Sequence, residues 1–321
     1  MSKGKIINCF YDGSESGFGD FLRGSIHLHD ICKYHKLDFD LDISHHPINK
    51  YICSDYNVSY PKTSIECLTK KNKENYGEFH MYSNYKKVIH EKLISVKEGE
   101  VCYVFSNFSF ICSLNPDFLV DAINKTSTIS SESCEFFQDK LKFSDEIVSA
   151  VEKELQDKKI KDFRLLHFRL GDDLAFRGEH KASWQFVPSH EDIFDICKAA
   201  FKKHGSKTPL VIISDSNDLK EYIKERSKNE KLPFFIFHLN SEHMQKKPSS
   251  LDEDKELKRN DDNLFYAAFD MNLVSMAKSA ESYSVYSWGS GFLTWIAKIY
   301  KVPVFLTQFK DPNLKTKIKK Q

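Results

Sequence analysis

Short apolar runs alternate with amphipathic segments through the second half of the sequence, and this pattern restricts the fold more than any other feature. The apolar runs predict strands at 163–170, 210–214, 233–239, 283–286 and 302–306. Between them, helical spacing predicts helices at 191–204, 217–228, 262–279 and 291–300, with Asn217 as an N-cap and a polar loop at 240–259. Strands that alternate with helices form right-handed βαβ units around a parallel sheet. We therefore predict one doubly wound α/β domain over about 160–308.

The first half of the sequence shows a similar but less regular pattern. The predicted elements are a strand at 5–11, a glycine-rich loop at 12–20, a helix at 21–35, strands at 37–43 and 101–105, and a helix at 145–156, while 47–97 stays unassigned. A strand, a glycine-rich loop, a helix and a second strand are typical of a Rossmann-like start. We predict two such domains, at 1–157 and 158–321, with the helix around 145–157 and residues 158–162 as the linker.

Charge and cysteine content exclude several classes of protein. Among 321 residues, 47 Lys and Arg nearly cancel 46 Asp and Glu, so the chain lacks the overall basic field of most nucleic-acid-binding proteins. We expect no transmembrane helix, because no window approaches 18 uncharged apolar residues, and the N-terminal apolar stretch is too short for a signal peptide. No two of the eight cysteines have C-x-x-C spacing, which favours free thiols in a reducing, cytoplasmic location over a disulfide framework or zinc site.

The most specific motif follows the first strand of the second domain and reads H-F-R-L-G-D-D. Ligands of doubly wound folds bind beyond the carboxyl ends of the strands, where His167 and Arg169 are expected. The guanidinium group of Arg169 is a forked, permanent cation that suits a diphosphate, and Gly171 permits a close backbone turn. The alternative is an ion pair that ties the strand to Asp172 or Asp173.

This motif resembles the first motif of the GDP-fucose-dependent fucosyltransferases, which comprise the α1,2-, α1,6- and protein O-fucosyltransferases. Two further stretches resemble the family in the same order: V-I-I-S-D-S at 211–216, and D-M-N-L-V-S-M-A-K-S-A at 270–280 followed by V-Y-S-W-G-S-G-F at 285–292. The glycine-rich loop G-F-G-D at 17–20 is similar to the family's first loop, but more weakly. The resemblance covers 163–305 well and 5–45 loosely.

The resemblance implies a role for each matching position. Arg169 would bind the β-phosphate of GDP-fucose, His167 would hold the nucleoside, and Asp270 would accept hydrogen bonds from guanine. Asp215 would lie near the ribose or base. The diphosphate would lie at glycine- and serine-rich turns formed by Gly17, Gly19, Gly171, Ser287, Gly289 and Ser290. The chain departs from the family at Leu170, where a second basic residue is expected, and in the turn S-W-G-S-G-F.

Transfer of a sugar from a nucleotide requires that the charge of the departing diphosphate be stabilised, either by a divalent metal or by fixed cations and helix N-termini. The D-x-D pairs that could bind a metal are Asp38-x-Asp40, Asp40-x-Asp42 and Asp252-x-Asp254. The first two share one face of a strand and the third lies in a charged run, so solvated or ion-paired carboxylates are the simpler interpretation. With Arg169 present, we expect a metal-independent reaction without a cofactor.

The general base that deprotonates the acceptor hydroxyl is expected in the loop after the first motif, where Asp172, Asp173, Glu179 and His180 are candidates. We favour Glu179, followed by Asp172. The sequence thus predicts a GT-B-like enzyme that transfers fucose from GDP-fucose to a glycan hydroxyl with inversion. Two alternatives remain: a transferase that uses another GDP-sugar, and a catalytically silent protein that binds GDP-sugars or glycans. A phosphate-binding loop of another nucleotide-binding class is not found.

Overall fold

The computed structural model describes residues 4–10, 17–53, 66–68, 91, 93, 95–106, 129–171, 188–203, 208–239, 253–286 and 290–309. The described strands are β1 (Lys5–Cys9), β2 (Asp38–Asp42), β3 (Ile52–Cys53), β4 (Glu66–Leu68), β5 (Val101–Ser106), β6 (Lys142–Phe143), β7 (Arg164–Arg169), β8 (Leu210–Ser214), β9 (Phe234–Phe235), β10 (Ala280–Ser284) and β11 (Val304–Gln308). The described helices are α1 (Phe18–Tyr34), α2 (Ser131–Lys140), α3 (Asp145–Asp157), α4 (His190–Lys203), α5 (Asn217–Asn229), α6 (Glu253–Met276) and α7 (Gly291–Ile299), with a 3₁₀ helix at Pro47–Lys50.

Two parallel sheets form the framework. The first has the strand order β2-β1-β5-β4, and the second has the order β11-β10-β7-β8-β9. A short antiparallel pair, β3 with β6, stands apart from them. Parallel strands need crossover connections, which the intervening helices supply. The predicted α/β class with parallel, doubly wound sheets is therefore confirmed.

One apolar core extends through both halves of the chain. Phe21 and Phe105 from the first half belong to the same buried cluster as Leu165, Met271 and Trp295 from the second half. Helix α3, which was predicted as the linker, contributes its apolar face to this core and contacts α6. The two sheets are thus joined by packed helices. The division into domains at 157 and 158 stays a prediction.

Several predicted helix boundaries were wrong. Helix α1 begins at Phe18, inside the predicted glycine-rich loop. The N-cap of α5 is Ser216, because its side chain accepts a hydrogen bond from the Leu219 backbone N–H group at 3.3 Å. Helix α6 begins at Glu253, inside the predicted loop 240–259, where Glu, Lys, Leu and Arg favour a helix. It ends at Met276 and not at residue 279.

The strands of the second sheet also differ in their limits. The predicted strand 233–239 is confined to Phe234–Phe235, because the following residues turn toward α6. Strand β10 is Ala280–Ser284 and not 283–286, because these five residues pair in register with residues 165–169 of β7. Strand β11 is Val304–Gln308, two residues later than predicted. Apolar runs indicated that these strands exist, but pairing in the sheet determines where they begin and end.

The described cysteines agree with the prediction of free thiols. Cys9, Cys32, Cys102, Cys134 and Cys197 form no disulfide, and burial raises the pKa of Cys32 and Cys197. A separate finding concerns the helices: none in the described part of the chain is long and apolar enough to cross a membrane.

Candidate functional site

Strand β7 carries the H-x-R motif to the carboxyl edge of the second sheet. It lies between β8 and β10, and four of its six residues are fully buried. His167 and Arg169 are two residues apart, so they lie on the same face of the strand. The register places His167 beside Ser282 and Arg169 beside Ser284 of β10. The motif therefore lies at the end of a central strand, and ligands of parallel α/β sheets generally bind at that edge.

The Arg169 side chain is held by Asp215, which directly follows β8. The Arg169 Nη1 group donates a hydrogen bond to Asp215 Oδ2, and both side chains are largely buried. Asp215 also accepts backbone hydrogen bonds from Leu170 at 2.8 Å and from Gly171 at 3.0 Å. One carboxylate therefore fixes the guanidinium group and the turn behind it. A guanidinium group carries five N–H donors, so one bond to Asp215 leaves donors for a ligand.

The turn after β7 requires a glycine. Gly171 has φ +88°, a conformation that residues with a Cβ atom rarely adopt. A Cβ atom there would lie 2.7 Å from the Tyr286 hydroxyl oxygen. The Tyr286 ring also lies under the Arg169 guanidinium carbon, at 5.6 Å from the ring centroid. Gly171 thus lets Tyr286, which lies two residues after the end of β10, approach Arg169.

His167 is buried and neutral. Its Nδ1 atom lies 2.9 Å from Ser282 Oγ, and its ring stacks on Phe292 with 6.4 Å between centroids. Burial, with a smaller contribution from the Arg169 charge, lowers the pKa of His167 to about 3. At neutral pH the imidazole therefore offers one donor and one acceptor, and adds no positive charge to the site.

The N-termini of α1 and α7 meet beside this strand edge. A Cβ atom on Gly19 would lie 2.5 Å from the Phe292 backbone nitrogen and 2.6 Å from the Gly291 carbonyl carbon, so only glycine fits at this crossing. Neither N-cap residue, Gly17 or Ser290, makes a side-chain capping hydrogen bond.

Three other helices provide a contrast, because the N-caps of α2, α3 and α5 are serines whose side chains accept hydrogen bonds from the first turn. At α1 and α7 the first-turn N–H groups lack such a partner from the N-cap side chain. Both ends are therefore suited to an anion through their N–H groups and helix dipoles.

A second polar pair consists of Asp270 on α6 and His238, which lies three residues after β9. His238 Nε2 and Asp270 Oδ1 are 2.8 Å apart, and the two side chains are 8% and 11% exposed. The His238 ring stacks on Tyr266 with 4.3 Å between centroids.

The site also has residues that the sequence analysis missed. Ser282, Tyr286 and His238 were not singled out, and Asp215 was not expected to pair with Arg169. His238 follows a strand, which was an available signal. The sequence analysis also did not single out Lys220, which is buried next to Leu219 on α5. Other predicted site residues, namely Asp172, Glu179, Ser287 and Gly289, lie outside the described part of the chain, as do Asp173 and His180.

The acidic strand β2 serves a different purpose. Asp40 forms ion pairs with Lys5 at 2.8 Å and with Lys140 at 3.0 Å. Burial acts to raise the pKa of Asp40, but the hydrogen bonds from these lysines keep it below the usual value. The ion-paired interpretation is confirmed for Asp40. Within the described ranges, no group of three or more His, Cys, Asp or Glu side chains is placed to hold a metal ion.

Comparison with known proteins rests on structure. No model of a protein family matches the chain, and no curated protein matches it either. Solved structures do match. A structure of NodZ α-1,6-fucosyltransferase soaked with GDP-fucose has a TM-score of 0.51 and 11% identity, and the match covers 98% of this chain and 97% of the other. A structure of NodZ from Bradyrhizobium has a TM-score of 0.50 and 11% identity, and the match covers 97% of each chain.

A plant enzyme gives a similar result. A point mutant of Arabidopsis thaliana FUT1 in complex with GDP has a TM-score of 0.54 and 9% identity, over 95% of this chain and 70% of the other. At such low identity the likeness establishes the fold and not the chemistry. The resemblance seen in the sequence motifs is thus matched by an independent likeness of the backbone. The chain has the GT-B-like fold of these solved fucosyltransferase structures.

Proposed function

We propose that this protein is an inverting glycosyltransferase that moves fucose from GDP-fucose to a sugar hydroxyl of a glycan. The observation that carries this proposal is the position of Arg169 at the end of the central strand, where Asp215 orients its side chain. Two residues earlier on the same strand, His167 stacks on Phe292 in the first turn of α7. Fixed cations and helix N-termini are the groups that can stabilise a departing diphosphate without a metal. The donor would occupy the second domain, 158–321, and the acceptor would face it from 1–157.

In this reaction the acceptor oxygen attacks the anomeric carbon of fucose while the bond between that carbon and the β-phosphate oxygen breaks. The leaving GDP gains one negative charge. Arg169 and the N–H groups at the start of α1 and α7 would stabilise this charge. Gly17 and Gly19 lie at the start of α1, and Ser290 lies at the start of α7. The acceptor proton passes to a general base, for which we retain Glu179 and then Asp172. Ser287 and Gly289 complete the proposed diphosphate turn.

The base of the nucleotide would be read by Asp270. A carboxylate oxygen accepts hydrogen bonds from adjacent N–H groups, which guanine presents and uracil, adenine and cytosine do not present in the same arrangement. Asp270 is suited to this role because His238 engages Oδ1. His167 would contact the nucleoside as a neutral group. Asp215 would act mainly through Arg169, since both of its oxygens accept hydrogen bonds from the β7 turn.

Nucleotide selectivity is the most direct test. GDP should raise the melting temperature more than UDP, ADP or CMP, because a ligand that binds only the native state stabilises it, by about 2.7 kcal/mol at 100 times its Kd. Asp270→Asn should remove most of the preference for GDP and leave inorganic pyrophosphate binding unchanged. Asp262→Asn, an exposed residue of the same helix, is the control. A shift with UDP that equals the shift with GDP would refute the assignment of the donor.

Metal independence gives a second prediction. Turnover should persist in EDTA, because Arg169 and two helix N-termini supply the positive charge that a metal supplies elsewhere. The measurement is release of GDP from GDP-fucose, with and without a panel of sugar acceptors, before and after chelation. Complete loss in EDTA with recovery in Mn²⁺ would show that a metal stabilises the leaving group.

The same assay separates the two alternatives. A catalytically silent protein would bind GDP-fucose and release no GDP with any acceptor. A transferase with another donor would release GDP faster from a different GDP-sugar, such as GDP-mannose. The GT-B-like fold is compatible with each of them, so the donor panel decides between them.

A further inference from the structure

A buried histidine lies at the carboxyl edge of the first sheet. His46 follows β2, and its backbone N–H group donates to the Ile43 carbonyl oxygen at 2.8 Å. The residue is only 7% exposed. Its ring packs edge-on against Phe10, which follows β1, with 4.3 Å between centroids, and lies 5.1 Å from the ring of Phe18, the first residue of α1. His46 therefore lies beside the N-terminus of α1, which the proposed function assigns to the diphosphate.

One hydrogen bond fixes the tautomer of this imidazole. The Ile48 backbone N–H group donates to His46 Nδ1 at 3.0 Å, so His46 is the N-cap of the 3₁₀ helix Pro47–Lys50. A ring nitrogen that accepts carries no proton, so the single ring proton of the neutral imidazole lies on Nε2. Burial also lowers the pKa of His46 to about 4, which keeps the ring neutral at physiological pH. The Nε2–H group is thus a fixed, uncharged donor.

Within the described ranges, this Nε2–H group has no protein acceptor. The side chain makes the hydrogen bond from Ile48 and the two aromatic contacts with Phe10 and Phe18. Buried N–H groups are nearly always hydrogen-bonded, so this donor is suited to a ligand. His46 is not suited to act as a general base, because Nδ1 is occupied and Nε2 already carries a proton. An uncharged donor serves a sugar hydroxyl well, whereas it adds no charge that would neutralise a phosphate.

The position of His46 parallels that of His167 in the second sheet. His167 is also buried and neutral, and its ring stacks on Phe292 in the first turn of α7. The N-termini of α1 and α7 meet where Gly19 approaches Phe292. The two histidines thus lie beside the two helix ends that would hold one diphosphate, one histidine from each sheet. In a GDP-sugar the sugar is bonded to the β-phosphate, so it must lie next to these helix ends as well.

We propose that His46 is a specificity residue for the donor: its Nε2–H group donates a hydrogen bond to a hydroxyl group of the sugar in the GDP-sugar. This inference rests on the proposed function. It extends that function by assigning a residue of the first half of the chain to the sugar, whereas the residues assigned above to the donor bind the nucleotide or its diphosphate. The structural role of His46 as an N-cap is compatible with this contact, because the two roles use different ring nitrogens.

Two substitutions separate the sugar contact from the capping role. Asparagine is a favoured N-cap residue, so His46→Asn can keep the hydrogen bond from Ile48 but has no donor in the place of Nε2. Glutamine is longer, so the amide N–H group of His46→Gln can reach that place but cannot cap the helix at the same time. His46→Asn should weaken GDP-fucose binding about tenfold and leave GDP binding unchanged, while His46→Gln should stay within about threefold for both. Calorimetric titration with GDP and with GDP-fucose measures these affinities.

The melting temperatures of the two variants should follow the opposite order. His46→Asn should melt higher than His46→Gln, because it keeps the capping hydrogen bond. His45→Asn makes the same exchange at the adjacent, less buried histidine and is the matched control, which should change neither affinity. A histidine that only caps the 3₁₀ helix would leave the ratio of GDP-fucose affinity to GDP affinity unchanged in every variant, and that result would overturn the proposal.

A measurement on the unmodified protein covers the case in which His46→Asn does not fold. With ¹⁵N-labelled histidine, the Nε2–H resonance of His46, identified by its absence from His46→Gln, should shift strongly with GDP-fucose and much less with GDP. A resonance that responds equally to both ligands, or to neither, would contradict the sugar contact.

The outcomes distinguish this inference from the proposed function. If the unmodified protein binds neither GDP nor GDP-fucose, the proposed function is wrong and the role of His46 fails with it. If it binds both and His46→Asn keeps the preference for GDP-fucose, only the role of His46 is wrong. An equal loss of GDP and GDP-fucose binding in His46→Asn would also overturn the inference, because it would place His46 at the diphosphate. A higher acceptor KM with unchanged GDP-fucose affinity would overturn it by placing His46 at the acceptor.

Discussion

Replacement of Arg169 by lysine should reduce turnover about a hundredfold, nearly as much as replacement by alanine. Lysine keeps the charge but has one ammonium group in place of a planar fork. Asp215 would attract that compact ammonium group, whose donors lack the planar fork that lets Arg169 bind Asp215 and a diphosphate together. An interaction that strengthens as charge grows on the leaving group affects turnover more than substrate binding. Loss of such a contact costs roughly 3 kcal/mol. Single-turnover release of GDP from GDP-fucose measures it.

A matched control is available on the same strand. Arg164 begins β7, five residues before Arg169, so Arg164→Lys tests the general effect of this exchange on the strand. If Arg169 serves only to tie β7 to Asp215, Arg169→Lys should lower the melting temperature while the folded protein turns over normally. A stable and fully active Arg169→Lys enzyme would refute the central role of this residue.

Two central strands of the second sheet, β7 and β8, could be predicted because they are apolar runs that are mostly buried. The strand at 210–214 was predicted with its exact limits, and β7 differs from its prediction by one residue at each end. β9 could not be predicted in the same way. Its sequence P-F-F-I-F-H-L is apolar throughout, but Phe237 contacts Phe269 and His238 contacts Asp270. These contacts with α6 end the strand, and nothing in the local sequence indicates them.

The candidate site shows the same division between local and long-range information. Arg169 and Asp215 were each found at the end of a strand, since parallel strands bring their carboxyl ends to one edge. Their hydrogen bond joins residues 46 positions apart and could not be inferred from either motif. Lys220 was overlooked because a lysine in a charged helix is usually solvated. Its place on the stripe with Leu219 and Ile223 was the signal that it is buried.

The second substitution with a large expected effect lies at the junction of α1 and α7. Gly19→Ala should destabilise the protein by about 2–3 kcal/mol, because the added methyl group would meet the Phe292 nitrogen and the Gly291 carbonyl carbon. Both are backbone atoms, so no side chain can rotate away and the two helices must move apart. GDP affinity should fall as well, because the N–H groups at the two separated helix ends would no longer be directed at one diphosphate. Denaturant unfolding and GDP titration of the same variant measure the two effects.

The opposite side of this contact supplies the control. A Cβ atom on Gly291 would lie 3.4 Å from the Gly19 carbonyl carbon, which is an ordinary contact. Gly291→Ala should therefore change the free energy of unfolding by less than about 0.5 kcal/mol and retain GDP binding. The contrast between two glycines of one junction isolates steric exclusion from the general cost of adding a methyl group. Equal losses in both variants, or a stable Gly19→Ala protein, would mean that the helix ends adjust freely and that their close approach does not shape an anion site.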